Sequence, residues 1–173
     1  VKTGDIVKVR VVEVDLAREF IRRSLAAARQ GDHFLQSYTR LVVDLENLRS
    51  ALVLASERHE QPPDQCFITG GERVTLDRYR EAATSGGVPQ AVRLLATVFH
   101  DGTMERALLR QLDSPADLED TILALPMRQA CSAARLRPLS SAPVLRYGLS
   151  LRYELGYLQR LVWGLALGAP PPA

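Results

Sequence analysis

Apolar residues recur at helical spacing over most of this chain. Phe34, Leu35, Tyr38, Leu41, Val42, Leu45, Leu48 and Leu52 fall three or four residues apart, as on one buried stripe of a helix. Leu151, Leu155, Leu158, Leu161, Val162 and Leu165 repeat that spacing near the end. Each stripe carries an acidic residue followed by leucines, in Asp44-Leu45-Glu46-Asn47-Leu48-Arg49 and in Glu154-Leu155-Gly156-Tyr157-Leu158-Gln159.

Between the stripes, turn and cap residues mark further helices. Leu16, Phe20, Ile21, Ser24, Leu25 and Ala28 predict a helix with Asp15 as N-cap and Gly31 as its stop; Asp32 then caps a long helix to about Ser56. Pro62, Pro63 and Gly70-Gly71 place a loop over residues 59–71. Thr75 caps a short helix to about Thr84, and Ser85-Gly86-Gly87 breaks it. Pro89 opens a helix burying Val92, Leu95, Ala96 and Phe99, followed by a turn at His100-Asp101-Gly102 and a short helix from Thr103 to Leu112. Ser114-Pro115-Ala116-Asp117 starts a helix that Pro126 should kink or divide, and Pro143 opens the last helix, ended by Gly168 and the prolines after it.

Only residues 1–14 depart from this period. Ile6 and Lys8 alternate with Val7, Val9 and Val11, which predicts a strand. The fold class expected is therefore all-α, with one short N-terminal strand-like segment.

Composition narrows the function more than it defines it. The 173 residues suffice for one ordinary domain or two small lobes, and the 46% hydrophobic content is that of a globular protein. No apolar run approaches the roughly 18 residues of a membrane span, and the N-terminus does not read as a signal peptide. Basic residues number 22 against 20 acidic. Their clusters, Arg18, Arg22, Arg23 and Arg29 on one helix and Arg128, Arg135 and Arg137 on another, read as solvated helix faces before they read as a phosphate-binding surface. Cys66 and Cys131 read as two reduced thiols.

Candidate chemistry is sparse. His33, His59 and His100 lack a second ligand at metal spacing, and Gly70-Gly71 is not followed by the Lys-Ser/Thr of a phosphate loop. The chain is expected to have no catalytic, cofactor-binding or metal-binding residues, and no small-molecule substrate.

In order along the chain, these motifs resemble the C/d-subunit family of vacuolar-type and archaeal-type rotary ATPases. The resemblance rests on Asp15, Phe20 and Leu25; on Gly31-Asp32-His33-Phe34-Leu35 leading to Asp44-Leu45-Glu46-Asn47-Leu48-Arg49; on Thr69-Gly70-Gly71 before Val74-Thr75-Leu76; and on Pro143, Tyr147, Glu154-Leu155, Gly164, Gly168 and Pro171. It covers about residues 15–172. Departures are Val53, where the family usually keeps an arginine; Tyr157-Leu158-Gln159, where it has Asn-Leu-Arg; and Leu165 in place of a lysine.

The resemblance implies helical lobes of a funnel-like protein over residues 15–168, grouped as 15–72 with 143–168 and as 73–142, with 169–173 a disordered tail. It implies a non-catalytic cytoplasmic component, peripheral to the membrane, that couples the central-stalk rotor subunits to the membrane proteolipid ring. Asp44, Asn47, Arg49 and Glu154 are the candidate interface residues; each reads equally as a buried polar group pairing helices within a lobe. Residues 1–15 are similar to late strands of an S1-type RNA-binding OB barrel, which offers an RNA-binding module as the alternative, beside a divergent helical adaptor outside the rotor. A full barrel needs five strands, so nucleic acid is not the expected partner.

Overall fold

Helix α2, His33–Ser56, is the axis of the first of two units. The computed structural model describes residues 3–56, 62–99, 105–106, 108–109 and 117–168. The chain divides into Val1–Ile122 and Leu123–Ala173. Around α2 pack α1, Thr3–Ala28; a 3-10 turn, Pro63–Cys66; α3, Leu76–Ala83; and α4, Val88–Ala96. Residues 105–106 and 108–109 are also helical.

Local chemistry sets most of the boundaries. The Asp32 carboxylate accepts from the Leu35 N–H at 2.8 Å, the N-cap bond that starts α2. Thr75 caps α3 by accepting from Arg78 N–H. Gly86, at φ +83°, takes the left-handed conformation that lets the chain turn between α3 and α4. Pro89 lies in the first turn of α4, where its missing N–H costs nothing.

α2 buries residues around most of its circumference because neighbours cover it on several sides. Leu41, Leu45, Leu48 and Leu52 are buried, and so are Val43, Ala51 and Leu54 off that stripe. Val43 meets Ile21 of α1 and Ile68 of the following loop, with Ala17 and Leu25 packed against them. Tyr79 of α3 and Val92, Leu95 and Ala96 of α4, with Phe99 beyond it, are buried as well.

The expected strand at residues 1–14 is a helix from Thr3 onward, so Asp15 lies inside α1 and is not its cap. An isolated strand leaves its N–H and C=O groups unpaired, whereas a helix satisfies them within itself. Among the described residues there is no other strand to pair with, and short alternation does not outweigh that cost. This removes the basis for the S1-like barrel. The turn at 100–102, the cap at 114–116 and the tail at 169–173 lie outside the described residues.

Helix α5, Asp117–Leu136, runs without division through Pro126 and carries the chain into the second unit. In that unit, the Ser140 side chain accepts from Ala142 N–H at 3.2 Å as α6, Ala142–Ala166, begins. Gly168, at φ +69°, stops α6. Ala130 and Ala142 are fully buried, but most of α6 faces solvent.

Candidate functional site

Asp44 and Asn47 lie three residues apart on α2, one turn of the same helix, and both are buried. Each reaches into the loop that joins the 3-10 turn to α3. Asn47 treats Ile68 as a paired strand would. Its side-chain amide donates to the Ile68 carbonyl at 2.8 Å, and its carbonyl accepts from the Ile68 N–H at 2.9 Å. Both polar atoms of a fully buried amide are thus satisfied by one residue.

Asp44 holds the other end of the loop. Its carboxylate accepts from the backbone N–H groups of Glu72 at 3.1 Å, of Arg73 at 3.1 Å to each oxygen, and of Val74 at 2.9 Å. Successive N–H groups converging on one point form an anion-binding concavity, filled here by a side chain of the same protein. Gly71 is part of the fit. A Cβ at that position would overlap Asp44 Oδ1, so only glycine lets the backbone come this close. Gly70 takes φ +111° and abuts the Leu25 side chain.

Three neighbours fasten the outside of the loop. Arg18 of α1 donates to the Gln65 carbonyl at 2.6 Å and to the Phe67 carbonyl at 3.0 Å, satisfying acceptors where the 3-10 turn ends. Arg80 of α3 forms a two-pronged pair with Asp64 at 2.6 and 2.5 Å, and its hydrogen bond holds the Asp64 carboxyl below its ordinary range. Tyr79 packs edge-on against Phe67 at 5.2 Å between ring centroids, with its hydroxyl 2.9 Å from Ser50 Oγ. Beyond the loop, the Arg73 guanidinium stands 5.7 Å over the Phe99 ring.

Chemically this is a clamp. Both Asp44 oxygens are engaged by backbone donors, so the carboxylate is committed to organising the loop. Among the described residues, no three His, Cys, Asp or Glu side chains gather as a metal site would require. An open depression of about 410 Å³ lined by Glu81, Ser85, Gln90, Arg93 and Leu94 is a surface hollow between α3 and α4.

The clamp joins two of the motifs in the first half of the sequence, the Asp44–Asn47 segment and the Gly70-Gly71 loop. Over residues 3–171 the chain matches the family model of the ATP synthase (C/AC39) subunit. The chain belongs to that family. No curated protein and no solved structure matches it.

In this member of the C/AC39 family, the four residues singled out by sequence separate into two kinds. Asp44 and Asn47 come together at the clamp, inside the first unit. Arg49, on the same helix, is exposed. Glu154 lies in the second unit on α6 and is also exposed, so it does not have the buried setting of Asp44. The two similar sequence stripes therefore have different surroundings. Arg18, Arg80 and Tyr79 were missed by sequence reasoning. Arg18 had the look of one more solvated arginine, and only the return of the loop to α1 gives it carbonyls to hold.

Proposed function

We propose that this member of the C/AC39 family acts as a non-catalytic structural component of a rotary proton- or sodium-translocating ATPase, seated between the central stalk and the membrane proteolipid ring. In this reading it is cytoplasmic and peripheral to the membrane, reaching the bilayer through its partner ring. Its work is to present a rigid helical surface, so that torque is transmitted by shape and charge complementarity without a reaction at the protein itself.

The observation that carries the reading is the family match across 3–171, joined to the way this sequence spends its motif residues on rigidity. Asp44 and Asn47 hold the two ends of the loop between the 3-10 turn and α3. In this scheme they position the surface without touching the partner, while Arg49 and Glu154 are the exposed members of the set at which contact would be made. No described helix is long and apolar enough to cross a membrane, which agrees with a peripheral position.

The test is capture of detergent-solubilised rotary ATPase rotor by the full chain. Stoichiometric retention of stalk or ring components is expected, with Glu154→Ala weakening it while leaving the melting temperature unchanged. Failure to retain either component refutes the proposal.

A further inference from the structure

The backbone N–H groups of Glu72, Arg73 and Val74 converge on the Asp44 carboxylate at 2.9–3.1 Å. Successive donors aimed at one point make a receptor for a small anion, and the group seated in it shows which class of anion it takes, a carboxylate. The carboxylate of Glu72 itself is paired with Arg40, at 3.8 Å.

Bonds that do not involve Asp44 hold the receptor on both sides. On one side Asn47 pairs with both backbone groups of Ile68, and Arg18 donates to the Phe67 carbonyl. On the other, Val74 is 4% exposed, and as α3 begins the Thr75 hydroxyl accepts from Arg78 N–H and its carbonyl from Tyr79 N–H. Gly71 contributes the room, since a Cβ there would stand in the space of Asp44 Oδ1. Gly70 and Glu72 are exposed, so a small ion has only the thickness of the loop to cross.

We infer that the loop at residues 71–74 is a preformed carboxylate receptor with Asp44 as its tethered ligand, and that a free small carboxylate occupies it when the tether is cut. Donors arranged by Asp44 alone would scatter without it. Donors arranged by their flanks keep their places, and stay costly until an anion returns to them. Asp44→Ala removes the carboxylate group and leaves the Cβ, so the vacated space is that of formate. Asp44→Gly removes the Cβ too, and the space becomes that of acetate. The receptor lies inside the first unit and is independent of the proposed seat on the rotor.

Thermal melts of the full chain in sodium formate, sodium acetate and sodium chloride at equal ionic strength test the inference. A dissociation constant of about 20 mM is modest for an anion of three non-hydrogen atoms. At about 0.2 M, formate should then shift the folding equilibrium of Asp44→Ala about tenfold relative to chloride, read as a rise of about 3–6 °C in melting temperature beyond any change in the parent. Acetate should do the same for Asp44→Gly and less for Asp44→Ala, whose Cβ meets the acetate methyl. Gly71→Ala in the Asp44→Ala background puts a methyl where the anion sits and should abolish the formate response. In amide spectra of Asp44→Ala, formate should move the signals of residues 72–74 saturably. Should a variant not fold in buffer alone, added sucrose favours the compact state and keeps the titration readable.

A formate response of Asp44→Ala no larger than the parent's overturns the inference. So does a response that survives Gly71→Ala, because the anion is then bound elsewhere.

Discussion

Asp44→Ala should be among the most damaging substitutions in the first unit. It deletes the acceptor for three backbone N–H groups, of which that of Glu72 belongs to an exposed residue and can turn to water. Those of Arg73 and Val74 are left without the carboxylate, and Val74 is buried. Hydrogen bonds to a charged group contribute about 1.5–3 kcal/mol each, so losing two without replacement costs about 4 kcal/mol. Against a total stability of about 5–15 kcal/mol this is a large fraction. At about 2–4 °C per kcal/mol for a chain of this size, the melting temperature should fall by about 8–16 °C. Asp44→Asn keeps the shape and one acceptor but turns an amide donor toward other donors, and should lose about half as much. Urea unfolding followed by circular dichroism measures both, and amide exchange at residues 72–74 should accelerate in each variant more than exchange within α2. A loss below about 1 kcal/mol for Asp44→Ala, or an Asn variant equal to the parent, would show that the loop is held by packing and not by the carboxylate.

Gly71→Ala should destabilise by about 2–4 kcal/mol in the same urea assay, because its Cβ meets the Asp44 carboxylate. Tyr79→Phe keeps the ring against Phe67 and loses the bond to Ser50, so a cost of about 1 kcal/mol is expected. Acid should act on the exposed ion pairs. Glu19 is lowered to about 2 by its hydrogen bonds to Arg22 and then Arg23, and Asp64 is lowered by Arg80. A depressed carboxylate stabilises the fold above its unfolded range and loses that contribution as pH falls through its folded value. Melting temperature should therefore decline between about pH 5 and pH 2, with a shallower slope in Asp64→Asn. Glu154→Ala should unfold within about 0.5 kcal/mol of the parent, as fits an exposed side chain.

Much of the helical plan can be read from the sequence, because caps and breakers act locally. Asp32, Thr75 and Pro89 each determine a boundary through atoms only a few residues away. The stripe on α2 likewise announces a buried helix. What could not be read is how far the covering of α2 extends around it, since that depends on three elements returning to one place. The Asp44–Gly71 contact was hidden for the same reason. Both residues stood out, but nothing in their spacing says that one occupies the volume a side chain at the other would need. The N-terminal alternation misled because side-chain pattern carries no information on whether a partner strand exists. The stripe on α6 shows the converse, in that helical spacing predicted the helix correctly but not that its apolar face would remain exposed.

The close approach of Asp44 to Gly71 also bears on how such a sequence can change over time. Enlarging residue 71 first produces a collision, and shortening residue 44 first abandons the loop's backbone donors. Either single step passes through a weakened protein. The two positions are therefore coupled in descent, and a lineage can replace this loop anchor only by paired substitution or by building a second anchor before the first is given up.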